Sequence, residues 1–347
     1  MNIFRSSQRG TSLVEVLVTL VLGLVVSAGA IAMVISNREA YRSTEALSRI
    51  QESTRMAFEL MSRDLRAVGI NACNGGRSRV LNLLADPSTR WWSNWSDTTR
   101  GLRGFNNTEA STAAIIGTEE RQRVTGTDLV ETIHGGTAAM SVSVHNDATS
   151  TLTLATPHTL ASGDLVVLCD FENSAIFQVS AVDASTNSVV HDIGTGSPSN
   201  CSSGLAFRTP LVCDGLTGVR KVFPPGSQLM RLQAAAWFVG NNARGSNTNS
   251  PTSLYRVSVG NTGTGSAAPV AEEIVEGVRD MQITYRLPSG GYVSATDITA
   301  LNRWNEVVAI QIELVIDAPD TGTATNAAGA RLTRRISHVV NLRNRVS

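Results

Sequence analysis

The strongest constraint on this chain lies near its N-terminus, where residues 13–35 form an apolar run whose only charge is Glu15. A run of about 20 apolar residues matches the thickness of a bilayer core, so it reads as a membrane-spanning helix. Arg5 and Arg9 precede it without an acidic residue between them. That positive flank holds the N-terminus in the cytoplasm and sends the rest of the chain outside. The carboxylate calls for a partner, because an ionisable group in a membrane segment is costly and conserved for use rather than filler. A cut after Gly10 would supply one. The new α-amino group of Thr11 would stand four residues from Glu15, about one helical turn.

Two plainer readings compete. A secretory signal would be cut after Ala28-Gly29-Ala30, but such signals have an apolar region of only about 7–15 residues, and Glu15 would fall inside it. A simple single-span anchor satisfies the hydropathy equally well. Neither accounts for Gly10 and Glu15.

Beyond Ile35 the composition turns polar while the helical period continues. Leu47, Ile50, Ala57, Met61, Leu65 and Val68 recur at threes and fours, with Thr54 filling a gap, and Arg49, Glu52, Arg55, Glu59 and Arg63 fall largely on other faces. This predicts an amphipathic continuation of the same helix, stopped at Gly69. From Asn71 the texture changes to short β runs separated by Gly, Ser, Asn, Asp and Thr. Strands are expected at residues 113–117, 129–134, 139–144, 152–155, 165–169, 176–181, 188–191, 229–239, 253–259, 281–287, 307–316 and 332–342. The last two form the clearest hairpin. Val308, Ile310, Ile312, Leu314 and Ile316 alternate with polar residues, as do Leu332, Ile336, Val340 and Leu342, and their apolar face should receive the helical stripe. Trp91, Trp92 and Trp95 fall in a polar context but read as buried beneath a long loop, since Trp is highly buried on average.

The fold class expected is therefore α+β: a long N-terminal helix, membrane-spanning then amphipathic, packed on a large antiparallel β-rich domain. Its parts are a leader (residues 1–10), a membrane or filament-core helix (11–35), the amphipathic continuation (36–69) and a periplasmic globular domain (70–347). Four cysteines, Cys73, Cys169, Cys201 and Cys213, all follow the membrane segment. An even count in an oxidising compartment implies disulfides, and three pairings are open. The reading leans to Cys201 with Cys213, which closes a short loop, and to Cys73 with Cys169.

Chemistry is harder to find. The five histidines form no H-E-x-x-H and have no metal-ligand spacing to the cysteines, and no G-x-S-x-G turn is present. Glu119-Glu120 and Glu272-Glu273 read as solvated loop charges. No catalysis, cofactor or metal is expected. The formal net charge is zero, unlike the clearly basic balance of a general nucleic-acid binder. The arginines of residues 331–345 read as the solvated side of a strand.

The leader-like Arg9-Gly10-Thr11-Ser12-Leu13-Val14-Glu15 resembles the class III signal of type IV prepilins and type II secretion pseudopilins. Two departures are Thr11, where most major pilins begin with Phe, and Ala32, where a helix-kinking Pro is usual. Three further stretches narrow the resemblance to PilW-type minor pilins: Met56-Ala57-Phe58-Glu59-Leu60 through Arg63-Asp64-Leu65-Arg66, Gly69 and Cys73; Gly163-Asp164 with Phe177-Gln178-Val179; and Glu273-Ile274-Val275-Glu276-Gly277-Val278-Arg279-Asp280 followed by residues 304–316 and 334–345. The resemblance implies a pilin-like fold, cleavage between Gly10 and Thr11 by prepilin peptidase, N-methylation of Thr11, and a filament-assembly role for Glu15. It also implies a low-abundance pilin working at the inner membrane with the pilus assembly platform. Its partners would be other minor pilins, the major pilin and a tip adhesin, and it would end in a surface pilus. Two other functions fit the same N-terminus: a minor pseudopilin of type II secretion, and a membrane-anchored periplasmic binding module.

Overall fold

In the computed structural model one helix, α1 (Leu13–Ala67), unites the apolar run and the amphipathic stretch without a break. The structure describes residues 12–69, 79–96, 99–194, 196–205, 213, 220–244, 251–263, 265–318 and 332–345. At 1.5 Å per residue, α1 is about 82 Å long. It ends where the Val68 N–H bonds back to the Leu65 carbonyl and Gly69 adopts φ +81°, a left-handed turn that costs glycine little. Its first half is exposed throughout, whereas Ala46, Ile50, Thr54, Ala57, Phe58, Met61 and Leu65 are buried. The Thr54 hydroxyl remains satisfied inside, donating to the Ile50 carbonyl at 2.6 Å.

Sixteen strands follow in chain order: β1 (Arg79–Asn82), β2 (Leu102–Phe105), β3 (Leu129–Gly135), β4 (Met140–Asn146), β5 (Thr151–Leu154), β6 (Leu165–Cys169), β7 (Asn173–Gln178), β8 (Ala181–Asp183), β9 (Ser188–Val190), β10 (Gln228–Asn241), β11 (Thr252–Asn261), β12 (Ala267–Glu276), β13 (Val278–Arg286), β14 (Tyr292–Val293), β15 (Ala309–Asp317) and β16 (Thr333–Asn341). A short helix, α2 (Ala295–Leu301), lies between β14 and β15 and opens on a Ser294–Asp297 capping box. Among the described residues every strand pair is antiparallel except β1 with β7.

Strand β10 organises the larger, twelve-stranded sheet. Its first residues pair with β4 and β6, and its second half pairs with β3 and β11. Residues 234–240 are buried without alternation, as expected where both faces of a strand are covered. Trp237 and Val239 face the core that includes α1, while Ala234, Ala236 and Phe238 face a second core. Trp91, Trp92 and Trp95 belong to that second core and are nearly inaccessible. A third cluster fills the lobe of β4–β9, with Phe177, Leu152 and Phe223 at its centre.

The smaller sheet has the order β14-β13-β15-β16. Its hairpin pairs Ile310 with Val340 and Leu314 with Ile336. Ile310, Ile312, Leu314, Ile316, Val340 and Leu342 share one core with Ile50, Ala57, Met61 and Leu65, so the alternating face meets the helical stripe as its pattern required. Elsewhere the local pattern misleads. Residues 113–117 form no strand: Ile116 makes a single bridge to Arg123 and Ile115 is exposed, because the surrounding turns leave no neighbouring strand to pair with. Gly277, φ +81°, separates β12 from β13.

Candidate functional site

The site with the clearest physical demand is the helix itself, apolar and uncovered at one end and clamped at the other. The most apolar window of α1 has none of its residues buried, with Leu13, Leu24, Val26 and Met33 among the most exposed side chains. Such a surface is far larger than the patches soluble monomers tolerate. Glu15 stands in the first turn, and Thr19 turns its hydroxyl back to the Glu15 and Val16 carbonyls, at 2.9 Å each. Gly10 and Thr11, the expected cleavage point, lie outside the described residues.

The clamp is built from strands of both sheets. β15 and β16 contact α1 from the smaller sheet, and β3 and β12 from the larger. Phe58 stacks against His338 of β16 with ring centroids 5.1 Å apart. The most directional contact is at Asp64, a carboxylate on the buried face with little access to solvent. Its Oδ2 accepts from Arg256 Nε at 2.7 Å and from the Trp237 indole N–H at 3.0 Å, while Arg256 Nη2 reaches Oδ1 at 3.3 Å. Two-point recognition of a carboxylate by a guanidinium fixes orientation as well as distance. One helix face is thereby keyed to β10 and β11.

The chain's C-terminal residues close the far end. Asn344 donates to the Arg66 carbonyl at 2.9 Å, serving a helix-end acceptor that has no partner within the helix. Arg345 beside it reaches the carbonyls of Trp304, Thr99 and Arg100. Burial, with Arg100 nearby, lowers its guanidinium to about 9. These contacts tie the helix end to the segments that lead into β2 and β15.

Residues 236–344 match the family model PilW, Type IV Pilus-assembly protein W. Over this stretch the chain is similar to PilW-type proteins. The PilW match begins one residue before Trp237 and runs to Asn344, so it contains Arg256, β13, β15, β16 and the helix-capping Asn344. Much of the clamp on α1 thus lies within the matched residues, with β3 outside them. No curated protein and no solved structure matches the chain. The PilW match places the protein in type IV pilus assembly, and the exposed helix is apolar enough to anchor it in a membrane.

Of the other residues singled out in the sequence, Cys201 and Cys213 are joined by a disulfide. Cys169, in β6, is also disulfide-bonded, and Cys73 lies outside the described residues. The sequence reading passed over Asp64, Trp237 and Arg256 as a unit. One signal was available: Asp64 lies on the helical face that carries Met61, Leu65 and Val68, where an unpartnered charge would be costly.

Proposed function

We propose that this chain is a minor pilin that takes part in priming and assembly of type IV pili, within a minor-pilin complex at the pilus tip. The observation that carries the reading is the division of α1. One part, residues 13–35, is predominantly apolar and exposed, and the other is held by a folded domain. A helix of this kind can leave lipid and enter a filament core only if a comparable apolar packing surface replaces the bilayer.

Before assembly the protein sits in the inner membrane with its globular domain in the periplasm, and after assembly it lies in the pilus at the cell surface. Prepilin peptidase cuts between Gly10 and Thr11, and Thr11 is N-methylated. The amine so formed neutralises Glu15 in its own chain or in a neighbour. The other partners are the assembly platform, the major pilin, other minor pilins and a tip adhesin. The role is structural, without catalysis or cofactor.

Mass spectrometry of the mature protein tests the first step. The expected N-terminal residue is Thr11, and Gly10→Val should leave the leader attached. A mature chain beginning at Ile31 would refute the reading, since the apolar rod would be lost. Glu15→Ala should leave the protein in the membrane but reduce piliation, measured as pili recovered after shearing. Undiminished piliation would remove Glu15 from assembly.

A further inference from the structure

A small cavity opens beside β2 and β3, on the side of the larger sheet away from α1. Its volume is 130 Å³, space for about four waters. Trp91, Leu102, Phe105 and Ile133 form apolar walls. Glu131 lies at the base, 5% exposed. Its Oε1 accepts from the Ser111 hydroxyl at 2.6 Å, and among the described residues its second oxygen has no hydrogen-bond partner. Glu131 lines the cavity, so that oxygen is free to meet a ligand hydroxyl there.

The rim is polar and mixed. Asn94, Thr99 and Thr112 line it, and the Arg103 guanidinium stacks over Phe105 at 4.9 Å from the ring centroid. We propose that this cavity binds one uncharged, hydroxyl-rich group, such as the terminal monosaccharide unit of a glycan. Hydroxyls both donate and accept, which suits a site with Glu131 and Ser111 at the base and Asn94 and Arg103 at the mouth. The C–H face of a sugar ring packs on an aromatic wall such as Trp91 or Phe105. A small cation is disfavoured because Arg103 contributes positive charge beside the carboxyl. An anion is disfavoured by Glu131. Burial raises that carboxyl to about 7, so near neutrality it can donate to a hydroxyl as well as accept from one. The volume takes one side of a single ring, so the rest of the sugar and any longer glycan would lie outside past the exposed Ala110 and Thr112.

This inference concerns the globular domain and stands apart from the pilin reading. The test uses the full-length protein in zwitterionic detergent micelles, because glycosidic detergents would compete. Saturation-transfer NMR is recorded with the methyl α-glycosides of glucose, mannose, galactose and N-acetylglucosamine, and with tetramethylammonium. A ligand of this size binds with Kd of about 1 mM, so titration to about ten times that concentration is sufficient. Saturable transfer to at least one glycoside is expected. It should weaken about tenfold in Ala110→Trp, a rim substitution that blocks the mouth without entering the core. Glu131→Gln should weaken it several-fold, with the thermal unfolding midpoint as a control for folding. Absence of saturable binding overturns the proposal, as does equal binding by Ala110→Trp and the unaltered protein. Binding of tetramethylammonium in place of the glycosides overturns its chemistry.

Discussion

Replacing Asp64 with Ala tests whether the helix is keyed to the sheet by charge and geometry or only held by apolar burial. The substitution strands two groups at once. The Arg256 side chain, 21% exposed, loses its carboxylate partner, and the Trp237 indole N–H, on a residue with 0% exposure, loses its acceptor. Removing one member of a buried ion pair costs about 3–5 kcal/mol, and leaving a buried donor unsatisfied costs about 1–3 kcal/mol. The two overlap, and Arg256 can turn partly toward water, so the expected loss is about 3 kcal/mol. Denaturant unfolding of the full-length protein in micelles, followed by tryptophan fluorescence, measures it. A double-mutant cycle with Arg256→Met should recover a coupling of about 2 kcal/mol, because the second substitution removes the stranded charge. A loss below about 1 kcal/mol for Asp64→Ala, the range of surface pairs, would show that the apolar stripe alone holds the helix.

Three further outcomes follow from buried groups. Met61→Ala, at a position with 0% exposure between the helix and the smaller sheet, should cost about 2–5 kcal/mol in the same unfolding assay; a cost near zero would place Met61 outside the load shared by that core. Glu131 has its carboxyl raised by burial from 4.5 to about 7, so its contribution is full below pH 4.5 and is lost as pH rises through 7, by up to roughly 3 kcal/mol at about 1.4 kcal/mol per pH unit. Glu131→Gln should therefore flatten the alkaline side of the stability curve, and an unchanged curve would contradict the buried placement. His191 is held down to about 3 by burial, with His145 adding to the effect, and the two rings meet at 3.0 Å between their Nε2 atoms. Its contribution is present above pH 6.5 and falls as pH drops toward 3, so denaturant midpoints should decline below pH 6.5 and decline less in His191→Gln.

Elements whose causes are local could be read before folding was considered. The apolar run and its continuing stripe specify α1 because burial at every third or fourth position is a property of neighbouring residues. The alternation of Ile310, Ile312, Leu314 and Ile316 likewise specifies a strand and the face it buries. Residues 113–117 look like a strand by the same local criteria, yet their pairing goes no further than a single bridge to Arg123, and pairing is not a local property. The tryptophans at 91, 92 and 95 were legible as buried, but not as a wall of a core backed by β10.

By itself the sequence determined that a long helical rod precedes a β-rich domain, that Glu15 is the one charge within the apolar first part of the rod, and that its second part needs an apolar surface. Only the tertiary structure decided which surface that is and how the rod is keyed to it. Asp64 meets Trp237 and Arg256 across 173 and 192 positions of chain, and Asn344 reaches Arg66 across 278. Hydrophobic periodicity reports which side of an element avoids water; the identity of the residue waiting there depends on how distant strands are brought alongside one another.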